Sequence, residues 1–523
     1  MERALSLTAC HCCLNRRQFL RRCAGCGAAS LAAGLPAAGW GTEAVTASQP
    51  KARVRLVFAC WALVQDRPTW PHIGHDMRPE IERVTRALRD GCPEVEFLPT
   101  VAHSVEDADK ILAQHEADKI DGYLVYNMNN WVQVFQRIAA SGHPMLLADY
   151  IFGGSGGFLV YGAQLRRKYR NFSLIGSSNT EDLIAAARCF PILKTQGVDA
   201  FVAACDRVRQ ERTPLPRLTQ VAEDKLELAS IGDCLESIKK ARIVAVGGGS
   251  EALARSIGER LGITVHRVSF DELAEAADKV DRDAADELAG RWKSAAQKVI
   301  IDNPDETLRL SAINYLAQKA LLDKYQAEAI TINCLGGFYS GKLKAYPCLG
   351  YVELLNSGMI GACEADLNST VTLVVMNHLV RRPGYISDPV IDSSKRQIIY
   401  AHCVATTKPF GPQGLANPYE ILTHSEDRRG ASVRSFLPVG YKTSTLEIFA
   451  DRRQILFHQA VAAENVVIDR ACRTKLACEV PGDFEKLFLG WSGGWHRVTF
   501  YGDLAEPVRE LAQALGFELV EEA

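Results

Sequence analysis

Short apolar runs alternate with amphipathic stretches along the first third of the chain. The runs at 54–60, 95–98, 122–126 and 145–148 have the length and composition of strands. The stretches at 80–89, 105–116 and 132–141 place apolar residues at helical spacing. Because strands that alternate with helices form parallel sheets covered on both faces, the pattern predicts a doubly wound α/β domain over residues 51–194.

A second alternating region begins at residue 241. Strand 241–246, a glycine turn, helix 251–261 and strand 263–266 make a βαβ unit, and a helical stretch at 270–298 follows. Strand 329–333 then leads into a loop rich in glycine, with Gly336, Gly337 and Gly341. This region predicts a second doubly wound, Rossmann-like α/β domain over residues 195–381.

The pattern changes from residue 383 onward. Segments such as 397–402 and 444–449 alternate or run apolar at strand length, and Pro, Gly and Asp separate them. Helical spacing is scarce until 504–515. We therefore expect a mostly antiparallel, barrel-like β domain over residues 382–523, closed by one terminal helix.

The first fifty residues have the order of a signal peptide. Asn15-Arg16-Arg17-Gln18-Phe19-Leu20-Arg21 matches the twin-arginine export pattern, an Ala- and Gly-rich apolar stretch follows at 24–38, and small residues lie at 44–47. A disordered basic tail is the alternative. We expect residues 1–50 to be a twin-arginine signal peptide and linker, and the protein to be exported to the periplasm or another extracytoplasmic space.

The charge balance, the hydropathy and the cysteines argue against a nucleic-acid-binding, a membrane-spanning and a disulfide-rich protein. Sixty basic residues nearly balance 62 acidic ones, which is unlike a nucleic-acid-binding footprint, and no run of eighteen apolar residues predicts a membrane span. Of the 16 cysteines, five lie in the leader. The others are odd in number and lie in apolar segments, which predicts buried thiols rather than a disulfide framework. The leader cysteines are Cys10, Cys12, Cys13, Cys23 and Cys26.

Two motifs in the α/β regions have both a functional and a structural interpretation. The loop from Gly247 to Ala252 fits G-x-G-x-x-A, and Asp271 lies where a ribose-binding acid would follow. A nucleotide-dependent oxidoreductase is therefore one alternative, although any tight βα turn needs glycine. His72 and His75 follow the first strand, where ligands bind in such folds, but a role in stabilising the loop is favoured over one in binding.

The most informative residues surround an acidic pair near residue 365. Glu364 and Asp366 precede an apolar helix at 370–379, where helix capping would explain one acid but not both. His402 closes an apolar run, and His496 follows a Gly-Gly-Trp segment. Two histidines and a carboxylate form a set that binds divalent cations.

These motifs, in this order, resemble those of the L-fucose and L-arabinose isomerase family. The resemblance rests on Glu364-Ala365-Asp366, Arg382 to Pro389, Tyr400-Ala401-His402 and Gly493-Gly494-Trp495-His496, and it extends from about residue 53 to 515. It implies a three-domain aldose–ketose isomerase that uses Mn²⁺ and assembles as a hexamer or another homo-oligomer. Loops from a neighbouring subunit's first domain would complete its active site.

Carried over, the resemblance makes Glu364, Asp366, His402 and His496 the cation ligands. Asp366 would move the proton between C2 and C1 of a monosaccharide through a cis-enediol, with Glu364 beside it. One departure is that no acid lies near Cys334, where the family has a further carboxylate; Glu353 is a possible substitute. A noncatalytic sugar-binding descendant is therefore the principal alternative to a sugar isomerase.

Overall fold

The computed structural model describes residues 51–217 and 221–523. The expected twin-arginine segment lies outside these residues and remains a prediction, as do the boundaries of the three domains. Within the described residues, no helix combines the length and apolar character needed to cross a membrane.

The first sheet contains five parallel strands in the order β2-β1-β3-β4-β5. Its strands are β1 (Ala52–Ala59), β2 (Val95–Ala102), β3 (Gly122–Asn127), β4 (Met145–Asp149) and β5 (Phe172–Ile175). Every residue of β3, β4 and β5 is buried, because helices cover both faces of the sheet. These helices are α1 (Arg78–Gly91), α2 (Val105–Ala113), α3 (Val134–Ala140), α4 (Ser155–Lys168), α5 (Thr180–Ala187) and α6 (Gly197–Arg212).

The second sheet contains four parallel strands in the order β10-β9-β6-β7. They are β6 (Arg242–Val246), β7 (Thr264–Val268), β9 (Ala329–Ile332) and β10 (Ile360–Ala362). Side chains of Ser250, Ser269 and Asp281 cap three of the surrounding helices. The helices are α7 (Ile231–Ile238), α8 (Glu251–Leu261), α9 (Phe270–Asp278), α10 (Arg282–Ala295), α11 (Pro304–Tyr325), α12 (Cys334–Tyr339), α13 (Cys348–Asn356) and α14 (Leu367–Val380).

A six-stranded antiparallel barrel follows, as the sequence predicts. Its strands are β11 (Tyr385–Asp392), β12 (Gln397–His402), β15 (Lys442–Phe449), β16 (Gln454–Asn465), β17 (Thr474–Glu479) and β18 (Arg497–Tyr501). The strand order is β15-β18-β11-β12-β17-β16, and pairing of β15 with β16 closes the barrel. The strand β19 (Glu518–Glu521) adds to β16 in parallel. The predicted fold class, two parallel-sheet α/β regions and a barrel-like β region, is confirmed.

A fourth, smaller sheet links the α/β part to the barrel part. The strand β8 (Lys298–Ile300) pairs in parallel with β13 (Tyr419–Leu422), which pairs with β14 (Ser432–Ser435). Helix α14 packs against the barrel as well, since the backbone N–H of Ile448 donates to Thr372 Oγ1 at 2.8 Å. This hydrogen bond fixes α14 relative to strand β15 of the barrel.

Four local predictions differ from the structure. The helical stretch at 270–298 is two helices, because Asp281 begins a new capped helix. The expected glycine-rich loop after β9 includes the short helix α12. The short helix α15 (Phe484–Gly490) interrupts the barrel strands, and the terminal helix α16 (Ala505–Leu515) does not close the fold, because β19 follows it. Amphipathic spacing could not reveal the breaks, because it continues across them.

The eleven cysteines after the leader are free and buried, as predicted. They lie both in helices and strands and in the segments between them, and Cys234 of α7 and Cys478 of β17, for example, are fully buried. No disulfide links them within residues 51–217 and 221–523. The described fold is therefore stabilised without a covalent framework.

Candidate metal centre

A cavity of about 520 Å³ lies where loops of the first sheet, the second sheet and the barrel meet. Its lining combines aromatic rings with carboxyl groups, a composition suited to a polar ligand with apolar C–H faces. The aromatic residues are Trp61, Trp70, Trp131, Tyr339, Phe449 and Trp495, and the acidic ones are Glu364, Asp366, Asp388, Glu426 and Glu447.

Glu364 reaches this cavity from a strained turn between β10 and α14. Glu364 and Ala365 both have left-handed backbone angles, with φ of 64° and 53°. Each such residue costs about 1–3 kcal/mol and persists only where the surroundings impose it. Here the Ala365 N–H donates to the carbonyl of Ile332 at 3.0 Å, which ties the turn to β9.

The two predicted histidines come from the barrel. His402 is the last residue of β12 and is 3% exposed, and His496 immediately precedes β18 and is 9% exposed. The glycines before His496 have φ of 80° and 122°, so the chain can turn there to direct the imidazole inward.

Glu364, His402 and His496 converge in the cavity. His402 Nε2 lies 3.8 Å from Glu364 Oε1, and His496 Nε2 lies 3.8 Å from Glu364 Oε2. One potential ligand atom from each residue falls within 4.8 Å of the other two. Two imidazole nitrogens and one carboxylate, with room left for substrate, form the kind of set that binds a divalent transition cation.

His402 supports this interpretation because both of its ring nitrogens are buried and lack a hydrogen-bond partner within the described residues. A buried unpaired polar atom costs about 1–3 kcal/mol. Burial also lowers the pKa of His402 to about 4, against the opposing charge of Glu364, so the imidazole is neutral and its lone pair is available. A cation ligated by His402 would satisfy one of the two unpaired nitrogens, Nε2, which faces Glu364.

Asp366 lies behind His496 rather than in the three-residue cluster. Its Oδ1 caps α14 by accepting from the N–H groups of Asn368 and Ser369 at 2.9 and 3.2 Å. Its Oδ2 accepts from Ser369 Oγ at 3.0 Å and from His496 Nδ1 at 2.8 Å. Both oxygens are thus engaged, which does not support the prediction of Asp366 as a further cation ligand and proton carrier. A carboxylate on the far nitrogen of a ligand histidine orients the ring and fixes its tautomer.

The charge of His496 depends on this arrangement. Burial lowers its pKa, but the hydrogen bond to Asp366 and the charges of Asp388 and Glu364 outweigh burial and raise the pKa to about 10. Without a cation, His496 therefore carries a proton at neutral pH. Binding of a cation to Nε2 would have to displace that proton.

Three acidic residues that the sequence analysis did not select also line the cavity. Asp388 of β11 places Oδ1 3.5 Å from His496 Nε2, and burial raises its pKa to about 7. Glu426 comes from the loop between β13 and β14, and burial raises its pKa to about 8. Glu447 of β15 lies 2.9 Å from Ser369 Oγ, and because burial raises its pKa well above the usual value it can donate to this oxygen. The sequence analysis could not identify these three residues, because single acidic residues in strands and loops belong to no motif with a recognisable spacing.

A buried ion pair holds the segment that carries His496. Arg497 donates to the carbonyl oxygens of His496 and Ser492 at 2.8 and 2.6 Å. The same guanidinium donates to Glu522 Oε1 at 2.6 Å, and Glu522 also contacts His458 Nδ1 at 2.9 Å. Arg497 is fully buried, so its geometry depends on the Glu522 partner.

Loops of the chain's own first sheet form one wall of the cavity. Trp131 stacks on Trp495 with ring centroids 4.5 Å apart, and Trp61 Nε1 donates to the Asn130 carbonyl at 3.0 Å. A side chain at Gly156 would collide with Trp495, at 2.4 Å from its ring. Residues of the same chain therefore supply this wall, and the expected contribution of a neighbouring subunit stays a prediction.

The other motifs lie outside the cluster. A side chain at Gly248 would fall 2.6 Å from Ala365 Cβ, so the glycine loop serves close packing, and exposed Asp271 pairs with Lys342. The loop histidines have a structural setting, since His75 Nε2 hydrogen-bonds Tyr150 Oη at 3.0 Å. The possible substitute acid, Glu353, also lies elsewhere, since it accepts from Trp292 Nε1 at 2.6 Å. Cys334, near which the family's carboxylate is missing, is buried in α12.

Comparison with known proteins gives similarity over about half of the chain. Sulfoquinovose isomerases of Priestia aryabhattai and Priestia megaterium are each 24% identical over 283 residues, which cover 51% of this chain and 60% of theirs. A sulfoquinovose isomerase of a Clostridium species, strain MSTE9, is 24% identical over 185 residues, or 33% of this chain and 40% of that protein. The match thus spans about three fifths or less of these curated relatives.

No family model matches the chain. A solved XylFII–LytSN complex aligns with 13% identity over 56% of this chain and 85% of that chain, with a TM-score of 0.16. A carbohydrate transporter of Acidothermus cellulolyticus 11B aligns with 12% identity over 63% and 88%, with a TM-score of 0.17. Scores this low carry no argument about fold or function. The relatives that remain informative are sugar isomerases, to which this chain is similar over half its length.

Proposed function

We propose that this protein is a divalent-cation-dependent aldose–ketose isomerase that acts on a monosaccharide. The observation that carries the proposal is the convergence of Glu364, His402 and His496 in the cavity. Similarity to sulfoquinovose isomerases supports the same reaction class. The resemblance to L-fucose and L-arabinose isomerases adds Mn²⁺ as the expected cation.

The residues of the cluster fit such a cation. Their donors are two imidazoles and one carboxylate, and His402 has no other partner for its nitrogens within the described part of the chain. When bound, the cation would polarise the sugar carbonyl and the adjacent hydroxyl group. Glu364, His402 and His496 would hold it, and Asp366 would act as a positioning residue through His496 Nδ1.

The proton transfers require carboxyl groups that can both accept and donate near neutral pH. Isomerisation takes a proton from C2 of the aldose and returns it to C1, while a proton moves between O2 and O1. Glu426 and Asp388 suit these steps because their pKa values, about 8 and about 7, lie near neutrality. In this proposal they replace the carboxylate that is missing near Cys334.

The cavity also limits the charge of the substrate. Arg67 is the basic residue among those that line it, apart from the histidine of the cluster. Its guanidinium already stacks on Trp61 at 4.2 Å and pairs with Asp66 at 2.9 Å. A neutral monosaccharide therefore fits better than the sulfonated sugar named for the relatives, which needs a cationic partner.

Turnover by a metal-stripped and reloaded protein tests the proposal. Purified protein is freed of metal, reloaded with Mn²⁺ and offered neutral aldoses and sulfoquinovose, with ketose formation followed by chromatography. We expect turnover of at least one sugar, its loss in His402→Ala, and its retention in the matched control His378→Ala, because His378 pairs with Glu328 outside the cavity. Full activity of His402→Ala would refute the assigned centre.

The missing acid near Cys334 favours a second candidate, a noncatalytic sugar-binding protein. Saturable sugar binding without ketose formation from any aldose, with Mn²⁺ present, would support that candidate instead. In either case the twin-arginine pattern at 15–21 leads us to propose a site of action outside the cytoplasm. Detection of the processed protein in the periplasmic fraction tests that part separately.

A further inference from the structure

A second cavity lies at the carboxyl ends of β3, β4 and β5, apart from the metal cluster. Its volume is about 330 Å³, and it shares no lining residue with the larger cavity. Open α/β sheets bind ligands beyond the carboxyl ends of their parallel strands. The barrel closes this cavity from the other side with Ile468 and Arg470.

Asp149, the last residue of β4, is an incompletely satisfied group in the lining. It is 3% exposed, and its Oδ2 accepts from Ser155 Oγ at 2.6 Å. Its Oδ1 is buried and has no hydrogen-bond partner among the described residues. Native proteins pair nearly all such atoms, so an unpaired one in a cavity wall indicates a place for a ligand donor or acceptor.

Arg470 supplies a complementary cationic group. Its guanidinium lies 4.4 Å from the ring centroid of Tyr150 and is close enough to its hydroxyl group to influence the pKa of Tyr150. The neighbouring Asp469 pairs instead with Arg428 and Arg473, both at 2.8 Å. Within residues 51–217 and 221–523, Arg470 has no ion pair, and it is only partly exposed. The N–H groups that Tyr150 does not engage can therefore donate to a bound molecule.

Most of the other charges around this cavity are paired. Arg83 is neutralised by Glu80 through two hydrogen bonds of 2.8 and 2.7 Å, so it adds no net positive charge. Asp182 contacts the wall residue Ser177 at 2.6 Å and pairs with Arg212, so it adds no net negative charge. Arg470 would oppose a cation. Burial raises the pKa of Asp149 to about 8, so at neutral pH this carboxyl group can donate a hydrogen bond to a hydroxyl group as well as accept one.

We propose that this second cavity binds one small, uncharged, polyhydroxylated molecule, a monosaccharide or a cyclic polyol. Hydroxyl groups would pair with Asp149 and Arg470, and the apolar C–H faces would lie against Tyr126, Tyr150 and Phe152, which line the same cavity. A volume of this size lies at the lower end of the range for small-molecule sites, about 300–1,000 Å³. The inference does not depend on the proposed isomerase activity.

Ligand-observed NMR tests the second site in a background where the first is disabled. The double variant Glu364→Gln, His402→Ala is titrated with D-glucose, D-galactose, L-arabinose and myo-inositol. We expect at least one of them to saturate a single site. Adding Arg470→Gln should weaken that binding about tenfold or more, since a hydrogen bond to a charged group is lost. Adding Arg428→Gln, in the loop between β13 and β14 and outside the cavity lining, should leave it unchanged.

Asp149→Leu provides a second variant that keeps the approximate size of the side chain, removes both oxygens and should also weaken binding. The inference is overturned if none of the four molecules saturates, or if both Arg470→Gln and Asp149→Leu bind as tightly as the background. Binding of inorganic phosphate that is lost in Arg470→Gln, without sugar or polyol binding, would identify an anion site and overturn it as well. Circular dichroism confirms that each variant is folded.

Discussion

Asp366 both caps α14 and orients His496. Replacement by Asn should preserve the cap and disturb the orientation of His496. The carboxylate accepts four hydrogen bonds, two from backbone N–H groups, one from Ser369 Oγ and one from His496 Nδ1. An amide offers one oxygen and one NH₂ group. With the oxygen on the helix, the NH₂ group faces Nδ1, and the imidazole is driven to the tautomer whose Nε2 carries hydrogen.

The magnitudes follow from these contacts. Asn caps a helix about as well as Asp, so the capping contribution to the free energy of unfolding should change by less than about 1 kcal/mol. Loss of the ion pair with protonated His496 should lower the stability of the metal-free protein further. Nε2 is the nitrogen that faces Glu364, so the affinity for Mn²⁺ should fall about 10–100-fold, the usual cost of losing such an outer carboxylate. Asp366→Ala should add a capping loss of about 0.5–2 kcal/mol to the free energy of unfolding.

Denaturant unfolding and calorimetric titration with Mn²⁺ measure the two effects separately. Asp392→Asn is the matched control, because Asp392 also caps a short helix but contacts Ser178 and Ser394 rather than histidine. The control should keep its Mn²⁺ affinity. Folded Asp366→Asn protein that binds Mn²⁺ as tightly as the wild type would refute the reasoning, and so would a loss of affinity in the control.

Three further predictions concern the same region. Because the pKa of His496 is raised to about 10, Mn²⁺ binding should release a proton from this residue. The apparent affinity for Mn²⁺ should therefore rise about tenfold per pH unit between pH 7 and 9. Calorimetry in buffers of different ionisation enthalpy measures both the affinity and the proton release. Arg67→Gln should leave turnover of neutral aldoses within about twofold and abolish any turnover of sulfoquinovose, because only the anion needs the guanidinium. Glu522→Ala should lower the free energy of unfolding by about 3–5 kcal/mol, since Arg497 stays buried without its partner, as denaturant unfolding would detect.

Each of these predictions has a contrary result. A pH-independent Mn²⁺ affinity would mean that His496 is not protonated in the free protein. Equal loss of neutral and sulfonated sugar turnover in Arg67→Gln would assign Arg67 to the shape of the cavity rather than to charge recognition. Unchanged stability of Glu522→Ala would show that the surroundings of Arg497 supply other acceptors.

The fold class could be predicted from the sequence because the periodicity of a strand or a helix is a property of residues that are adjacent in the chain. The strand of His402 and the helix after Ser250 have the predicted bounds, 397–402 and 251–261. The same reasoning joined α9 and α10 into one helix, because the capping residue Asp281 lies within a continuing amphipathic pattern. It also missed β8, whose three residues become a strand only by pairing with β13.

The candidate site was predictable only where motifs were compact. Glu364, His402 and His496 came from short segments with a recognisable order, and the structure brings them together. The role of Asp366 was not visible, because the sequence does not show which oxygen meets the helix and which meets His496. Asp388 and Glu426 enter through barrel geometry, which depends on pairing between strands distant in the chain.

Glu364, His402 and His496 can come together only after the barrel has closed. His496 contacts Asp366 across 130 residues of chain, and it is positioned by β18, which inserts between β11 and β15. Such distant pairings form late, since the entropy of loop closure opposes them until their neighbours are in place. A chain still being synthesised would hold Glu364 and His402 without the third ligand. Binding of a cation by all three residues would then require that the barrel is closed.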